Sequence, residues 1–140
     1  MLDENLSEKT MKIKSVELEK FLCYRDRVVF DLGPNVTLIS GPNGSGKTTL
    51  LEGVIWSIWG FLPNRPVRVE GTRAKLNCTN QFQIDRYFNG RTETVDIGKG
   101  AGGKRRVEDE IASLFGTYQA WARSLYVTGK NVSYFSSGNA

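Results

Sequence analysis

Apolar and polar positions alternate along residues 12–21, the first patterned segment of the chain. Val16 and Leu18 fall on one face and the neighbouring glutamates on the other, which predicts a β-strand. Residues 27–32 predict a second short strand, which ends at a Gly-Pro-Asn turn. The apolar run at residues 36–39 predicts a third strand, buried on both faces, directly before a glycine-rich loop.

The hydrophobic pattern changes to helical spacing after this loop. Apolar residues recur three and four positions apart from residue 47 to residue 59, which predicts a helix with one buried stripe. The predicted stripe comprises Leu50, Leu51, Val54, Ile55 and Ile58. Gly60 suits the end of the helix, and Pro63 and Pro66 prevent it from continuing.

The second half of the chain predicts shorter elements. Residues 61–80 predict mostly loop, whereas residues 82–88 and 92–97 predict a hairpin. The pair Asn89-Gly90 between them favours a type I′ turn.

Two helices and a short strand are expected after the hairpin. A short helix over residues 107–115 should turn Ile111, Leu114 and Phe115 inward and end at Gly116. Thr117 can cap a last helix that extends to residue 123, and residues 124–127 resemble a strand. The expected fold is therefore α/β, with the helix at residues 47–59 against one face of a sheet and the hairpin in a small antiparallel subdomain.

Composition excludes several classes of protein. The 140 residues are 39% hydrophobic and 24% charged, as in one folded domain, and residues 1–10 predict a polar extension. No apolar run approaches the ~18 residues of a membrane span. The chain has no histidine, which excludes the usual zinc sites and Ser-His or Cys-His catalysis. Its two cysteines lack metal-binding spacing and are expected to be reduced thiols.

The formal net charge of +4 is unevenly distributed. Residues 60–140 hold twelve Lys and Arg residues against seven Asp and Glu residues, whereas residues 1–59 are nearly balanced. A basic half permits contacts to nucleic-acid phosphates, but a surplus of this size is more often solvated surface charge. The candidate DNA contacts are Arg65, Arg68, Lys104, Arg105 and Arg106.

The glycine-rich loop carries the chemistry. Gly41, Gly46, Lys47 and Thr48 match the pattern G-x-x-x-x-G-K-[ST], the phosphate-binding P-loop or Walker A motif. The glycines let backbone N–H groups point at one anion, and the start of the following helix adds its dipole. The lysine would then contact the β- and γ-phosphates of ATP, and the Thr48 hydroxyl would bind Mg²⁺.

The remaining machinery of an ATPase is not visible. A Walker B motif needs an apolar strand that ends in an acid, but Asp109-Glu110 follows charged residues in a helical pattern. No catalytic base is identifiable, and Ser136-Ser137-Gly138 is not accepted as a signature loop because that loop must open a helix.

Beyond the P-loop, the sequence resembles the SMC-like ATPases that repair DNA double-strand breaks. These are the SbcC-type exonuclease subunits and their bacteriophage recombination-endonuclease relatives. Residues 12–24, KIKSVELEKFLCY, are similar to their opening strand, and residues 41–52, GPNGSGKTTLLE, to their Walker A motif and helix. Residues 120–135, AWARSLYVTGKNVSYF, are similar to the end of their first lobe. Many NTPases share the Walker A motif, so this motif alone does not indicate one family. The opening strand and the final segment are what narrow the resemblance to the SMC-like repair ATPases.

The resemblance implies an ABC/SMC-type P-loop NTPase head of which residues 11–140 form only the N-terminal lobe. Walker B and the signature would come from a C-terminal lobe that follows a long coiled coil. ATP would join two heads into a homodimer, with a nuclease subunit and DNA as partners. The expected location is the cytoplasm of a bacterium or of a phage-infected host cell.

The resemblance also implies roles for individual residues. The triphosphate would be wrapped by Asn43, Gly44, Ser45, Gly46, Lys47, Thr48 and Thr49. Residues 21–25 would lie near the base and sugar. The family's Q-loop glutamine should fall near residues 128–129, which are Thr and Gly here.

Two functions are compatible with these residues. The first is ATP binding, and hydrolysis with a C-terminal lobe, in a DNA repair or recombination ATPase. The second is a truncated nucleotide- or DNA-binding module without turnover. A generic ABC transporter ATPase fits the opening strand less well.

Overall fold

The computed structural model describes residues 11–62, 66–67, 69–98 and 104–124. In these ranges, the strands and helices are β1 Ile13–Glu19, β2 Val28–Asp31, α1 Lys47–Trp59, β3 Thr72–Cys78, β4 Gln83–Phe88, β5 Glu93–Asp96, α2 Lys104–Phe115 and α3 Tyr118–Ser124. Within the same ranges, every helix is too short or too polar to cross a membrane.

The five strands form one sheet in the order β2-β1-β3-β4-β5, and each neighbouring pair is antiparallel. Helix α1 packs on one face of this sheet, against β1, β3 and β4. The predicted α/β arrangement, with the P-loop helix against a sheet, is confirmed. The predicted hairpin is also present, as the β4–β5 edge of this same sheet.

The core lies between the sheet and α1. The sheet residues that are fully buried there are Val16, Leu18, Ala74, Leu76 and Ile84. Gly53 brings the helix close to β1, because a Cβ atom at this position would lie 2.5 Å from Cδ2 of Leu18. The central turns of the P-loop helix therefore pack directly on the first strand.

The bounds predicted for the P-loop helix are confirmed, since α1 spans residues 47–59. Gly60 ends it with a φ of 77°, and the N–H of Gly60 donates to the Trp56 carbonyl at 2.8 Å. The predicted stripe is wrong at Leu51, which is 42% exposed. The buried face is rotated toward Gly53 and Trp56, so the outer edge of the predicted stripe faces solvent.

The prediction of loop over residues 61–80 is wrong because β3 occupies residues 72–78 at the centre of the sheet. Its inward residues include threonine, alanine and cysteine, which give a weak hydrophobic signal. A tight turn joins β3 to β4 through Asn80 and Gln81, both at positive φ of 59° and 60°. Positive φ at both central residues is the requirement of a type I′ turn.

The β4–β5 turn differs from the predicted type I′ form. Gly90 has a φ of 94° and is the first central residue, whereas Asn89 precedes the centre and is absent from the positive-φ residues. The Asn89 side chain instead accepts hydrogen bonds from the N–H groups of Arg91 and Thr92, at 2.9 and 2.8 Å. Asn89 is therefore the residue before the two central positions of the turn, and Gly90 occupies the first of them. Positive φ at the first central residue alone is typical of a type II′ turn.

The predicted buried strand at residues 36–39 is also wrong. Val36 is 90% exposed and Leu38 87% exposed, and neither belongs to a strand. A strand forms where a neighbour supplies backbone hydrogen bonds, and none of the five described strands pairs with this segment. Before this segment, the Leu32 N–H donates to the Lys14 carbonyl at 2.8 Å, and the Lys12 ammonium donates to the Pro34 carbonyl at 3.3 Å.

Helices α2 and α3 close the described part of the chain. Val107 and Ile111 bury the inner side of α2, whereas Leu114 is 43% exposed, which corrects the inward position predicted for it. Gly116 ends α2 with a φ of 76°, and the Thr117 hydroxyl caps α3 by accepting from the Ala120 N–H at 3.3 Å. Both predictions about these helix ends are confirmed. The predicted strand at residues 124–127 lies outside the described residues apart from Ser124, which ends α3.

Arg86 of β4 is a charged residue inside the core, only 1% exposed. Its guanidinium donates to the carbonyls of Ser57 and Ile58, at 3.0 and 3.2 Å, and pairs with Glu93 of β5. Burial lowers the pKa of Arg86, while the Glu93 carboxylate opposes that shift. The pair therefore ties the last turn of α1 to the β4–β5 hairpin, and Gly60 leaves room for it because a Cβ there would lie 2.7 Å from Nη1.

The opposite face of the sheet carries paired charges. Glu17 accepts from Arg27 and Asn77, and Arg73 pairs with Asp85 across β3 and β4. Burial alone would raise the pKa of Glu17, but these hydrogen bonds and the nearby cations lower it below the ordinary value. The carboxylate of Asp85 on β4 holds the side chain of Arg73 in place.

Candidate nucleotide-binding site

The P-loop lies on the surface at the start of α1. Residues 41–45 are exposed, and Gly46 is buried where the loop meets the helix. Gly44 and Gly46 have φ values of 81° and 98°, in the left-handed region that favours glycine. The N–H of Ser45 donates to the Pro42 carbonyl at 3.2 Å, which closes a turn within the loop.

Two of the motif's glycines are required by close neighbours. A Cβ atom at Gly41 would lie 2.7 Å from Oγ of Ser45. At Gly46 a Cβ would lie 2.5 Å from the Tyr24 hydroxyl and 3.1 Å from Sγ of Cys23. The spacing of the glycines thus follows from the packing of the loop as well as from its backbone angles.

The first turn of α1 directs N–H groups toward the loop. The first hydrogen bond of the helix runs from the Leu50 N–H to the Gly46 carbonyl, at 2.9 Å. The N–H groups of residues 47–49 consequently have no acceptor within the helix. They carry the positive end of the helix dipole, which suits a bound anion.

Lys47, Thr48 and Thr49 supply the charged and hydroxyl groups at the end of the motif. The Lys47 ammonium donates to the carbonyl of Gly41 and, at 3.3 Å, to that of Pro42, so its side chain folds back across the loop. Thr48 is exposed at the start of the helix, whereas Thr49 is only 8% exposed. The hydroxyl of Thr48 is therefore accessible to a metal ion, and the backbone N–H of Thr49 is one of the groups without an acceptor within the helix.

The turn at residues 21–24 packs against the P-loop. The backbone groups of Phe21 and Tyr24 exchange two hydrogen bonds of 2.9 Å, and the Tyr24 hydroxyl donates to the Gly46 carbonyl at 2.9 Å. The Tyr24 ring lies edge-on to Phe30, with centroids 5.5 Å apart. Burial, and next the neighbouring Cys23, raise the pKa of Tyr24. The proximity of residues 21–25 to base and sugar stays a prediction.

These residues fit a triphosphate with a magnesium ion. Nothing lies within 4 Å of a Cβ built at Gly44, so the backbone of the loop is open to a ligand at this position. Lys47 supplies a cation and Thr48 a hard oxygen ligand, the kind that Mg²⁺ prefers. Among the described residues, no group of three His, Cys, Asp or Glu side chains could hold a metal.

The five residues predicted to contact DNA are described only in part. Arg65 and Arg68 lie outside the described residues. Lys104, Arg105 and Arg106 form the first turn of α2, but their side chains also lie outside the description. DNA binding by these five residues stays a prediction.

Sequence patterns did not reveal two side chains that hold α1 in place, Tyr24 at the P-loop end and Arg86 at the opposite end. The bond from the Tyr24 hydroxyl to Gly46 joins residues 22 positions apart, and the bonds from Arg86 reach residues in α1 across the core. A single sequence contains no periodic signal for either contact. The glycines at 46 and 60 were the available signs, since each marks a place where another side chain approaches the backbone.

Comparison with known proteins identifies the family. A family model described as "AAA domain" matches residues 15–137. The chain is 44% identical over 46 residues to the chromosome partition protein Smc of Fusobacterium nucleatum, a match that covers 33% of this chain and 4% of that protein. It is 32% identical over 98 residues to the DNA double-strand break repair Rad50 ATPase of Archaeoglobus fulgidus, covering 62% and 11% of the two chains.

Two further similarities agree with these. The DNA replication and repair protein RecF of Desulfitobacterium hafniense is 42% identical over 50 residues, which cover 36% of this chain and 13% of RecF. The chain thus spans a small part of the length of each of these three relatives. A solved chain from work on ATP-driven dimerization and DNA-stimulated activation of SMC ATPases has a TM-score of 0.65 at 17% identity, covering 88% of this chain and 89% of its own. The chain therefore belongs to the AAA-domain family, and it shares the fold of that SMC ATPase chain.

Proposed function

We propose that the chain binds ATP with Mg²⁺ through residues 43–49. The observation that carries this proposal is the backbone of the loop, where Gly44 and Gly46 adopt left-handed angles directly before the N-terminus of α1. That arrangement presents several N–H groups to one anion. The match of the family model across residues 15–137 supports the same function.

Lys47 and Thr48 have distinct roles in this proposal. The ammonium of Lys47, which donates to the carbonyls of Gly41 and Pro42, exchanges these neutral acceptors for phosphate oxygens. A charged acceptor gives the stronger hydrogen bond, so the exchange favours the bound state. Thr48 and the phosphates hold Mg²⁺, which neutralises charge on the phosphates when bound. The remaining residues, Asn43, Gly44, Ser45, Gly46 and Thr49, surround the phosphates mainly with backbone N–H groups.

Hydrolysis requires a second lobe. The apolar and exposed residues of segment 36–39 have the composition of a buried strand, which supports docking of a C-terminal ATPase lobe beside it. That lobe supplies Walker B and the signature, which the 140 residues do not contain. ATP then joins two such heads, in line with the ATP-driven dimerization described for the structurally similar SMC ATPase.

The proposed cellular role is DNA repair or recombination together with a nuclease subunit. Similarity to a Rad50 repair ATPase and to a RecF replication and repair protein supports a role on DNA. The nuclease partner rests on the resemblance of residues 12–24 and 120–135 to exonuclease subunits. A nucleotide-binding module without turnover is the second candidate, favoured by the missing Walker B motif.

One titration tests nucleotide binding and shows whether the chain alone hydrolyses ATP. The chain is titrated with Mg-ATP by calorimetry, and phosphate release is followed in the same sample. Lys47→Ala should weaken binding about 10- to 100-fold, the range expected for loss of hydrogen bonds to a charged group. Lys14→Ala, which removes an exposed lysine on β1, is the matched control and should bind like wild type.

The outcomes have separate meanings. Lys47-dependent binding without phosphate release supports a binding site that awaits a second lobe or acts as a module. Lys47-dependent release means that copies of the chain complete the catalytic site together. If the wild-type chain does not bind Mg-ATP, the proposed function is wrong.

A further inference from the structure

The turn at residues 21–24 is attached to both ends of the P-loop helix. At one end of the turn, Phe21 is fully buried and packs on Trp56 of α1, with ring centroids 5.7 Å apart. At the other end, Tyr24 reaches Gly46, the residue that caps the helix. The turn itself holds Leu22 at a φ of 51°, a conformation that costs free energy for a residue other than glycine. Such backbone conformations persist where surrounding contacts hold them.

The Gly46 carbonyl accepts two hydrogen bonds of equal length. One comes from the Leu50 N–H and the other from the Tyr24 hydroxyl, both at 2.9 Å. The carbonyl belongs to the peptide group that joins Gly46 to Lys47. Because a trans peptide is planar, its N–H points opposite to its C=O. Fixing the Gly46 carbonyl therefore also fixes the direction of the Lys47 N–H.

We propose that Tyr24 is a positioning residue of the phosphate-binding loop: its hydroxyl holds the Gly46–Lys47 peptide plane so that the Lys47 N–H faces the bound phosphates. Glycine at 46 adds no side chain to restrain this peptide, so the Tyr24 hydroxyl acts together with the Leu50 N–H to fix it. The edge-on packing of Tyr24 on Phe30 of β2 holds the ring in place. The proposal rests on phosphate binding by the P-loop, and it assigns Tyr24 to the protein backbone instead of the base.

Tyr24→Phe tests this role because it keeps the ring and removes only the hydroxyl. The ligands are Mg-ATP and magnesium tripolyphosphate, which has the phosphates but neither base nor sugar. We expect Tyr24→Phe to weaken both ligands by about fivefold, the change that loss of one neutral hydrogen bond produces. Tyr87→Phe, which alters an exposed tyrosine on β4, is the matched control and should change neither.

The comparison of the two ligands distinguishes positioning from contact with the nucleoside. Weaker binding of ATP with unchanged binding of tripolyphosphate would show that Tyr24 contacts the base or sugar, and the proposal would be wrong. Unchanged binding of both ligands would also overturn it.

Hydrogen exchange supplies a readout that needs no ligand. The Leu50 amide shares the Gly46 carbonyl with Tyr24, so Tyr24→Phe should speed its exchange several-fold while the amides at the centre of α1 keep their rates. Faster exchange without any ATP binding by wild type would refute the proposed function and leave the positioning role standing. Unchanged exchange at Leu50 would refute the positioning role whether or not ATP binds.

Discussion

Replacing Arg86 with methionine should destabilise the chain by about 3 kcal/mol. The substitution leaves Glu93 without its cation and removes the donors to the Ser57 and Ile58 carbonyls. Removing one partner of a buried ion pair costs about 3–5 kcal/mol. The lower end applies because the side chain of Glu93 is 22% exposed and water screens its charge. For a chain of this size, a loss of about 3 kcal/mol lowers the melting temperature by about 10 °C.

The assay is thermal and urea unfolding followed by circular dichroism, at several protein concentrations. Arg73→Met is the matched control, because it makes the same change at a pair on the opposite face of the sheet, where Arg73 is 49% exposed. Loss of that exposed pair should cost less than about 1 kcal/mol. The double variant Arg86→Met/Glu93→Gln should be no less stable than Arg86→Met alone, because the unpaired carboxylate is gone. Equal losses for Arg86→Met and Arg73→Met would refute the inference that the buried pair fixes the end of α1.

Two further predictions concern titrating groups. Because the pKa of Glu17 is lowered in the folded chain, its ionised form stabilises the fold above the unfolded pKa, and that contribution disappears as pH falls through the folded pKa. The difference in unfolding free energy between wild type and Glu17→Gln should therefore be constant above about pH 5.5, at less than about 1 kcal/mol, and should shrink below about pH 4.5. Urea unfolding across this pH range measures the difference. A difference that grows with acid would contradict the prediction. Burial raises the pKa of Cys78 to about 11, so iodoacetamide at neutral pH should modify exposed Cys23 first and Cys78 only after unfolding. Intact-mass measurement with and without urea checks the order, and equal rates in the folded chain would show that Cys78 is accessible.

Sequence patterns predicted the elements that are determined by residues close together in the chain. Helix α1 combines helical spacing with glycines at both ends, and its predicted bounds match the structure. The P-loop was recognisable for the same reason, because its function needs particular residues at adjacent positions. The ends of α2 and α3 followed from Gly116 and Thr117, whose effects extend only a few residues.

Contacts between distant parts of the chain were not predictable from the pattern. Strand β3 is central to the sheet, but its inward residues are too small or polar to distinguish it from loop. The segment at residues 36–39 shows the opposite case, since its apolar residues predict a buried strand and none of the five described strands pairs with it. Burial depends on what a neighbour covers, and one sequence does not specify the neighbour.

Nuclear magnetic resonance of the ¹⁵N-labelled chain tests the central claim most directly, because it locates the nucleotide residue by residue. On addition of Mg-ATP, we predict the largest amide shifts at Gly44, Gly46 and Lys47, with little change in the β4–β5 hairpin. The same titration of Lys47→Ala should produce much smaller shifts at these positions. Absence of shifts in the P-loop, or larger shifts elsewhere that persist in Lys47→Ala, would contradict ATP binding at this site.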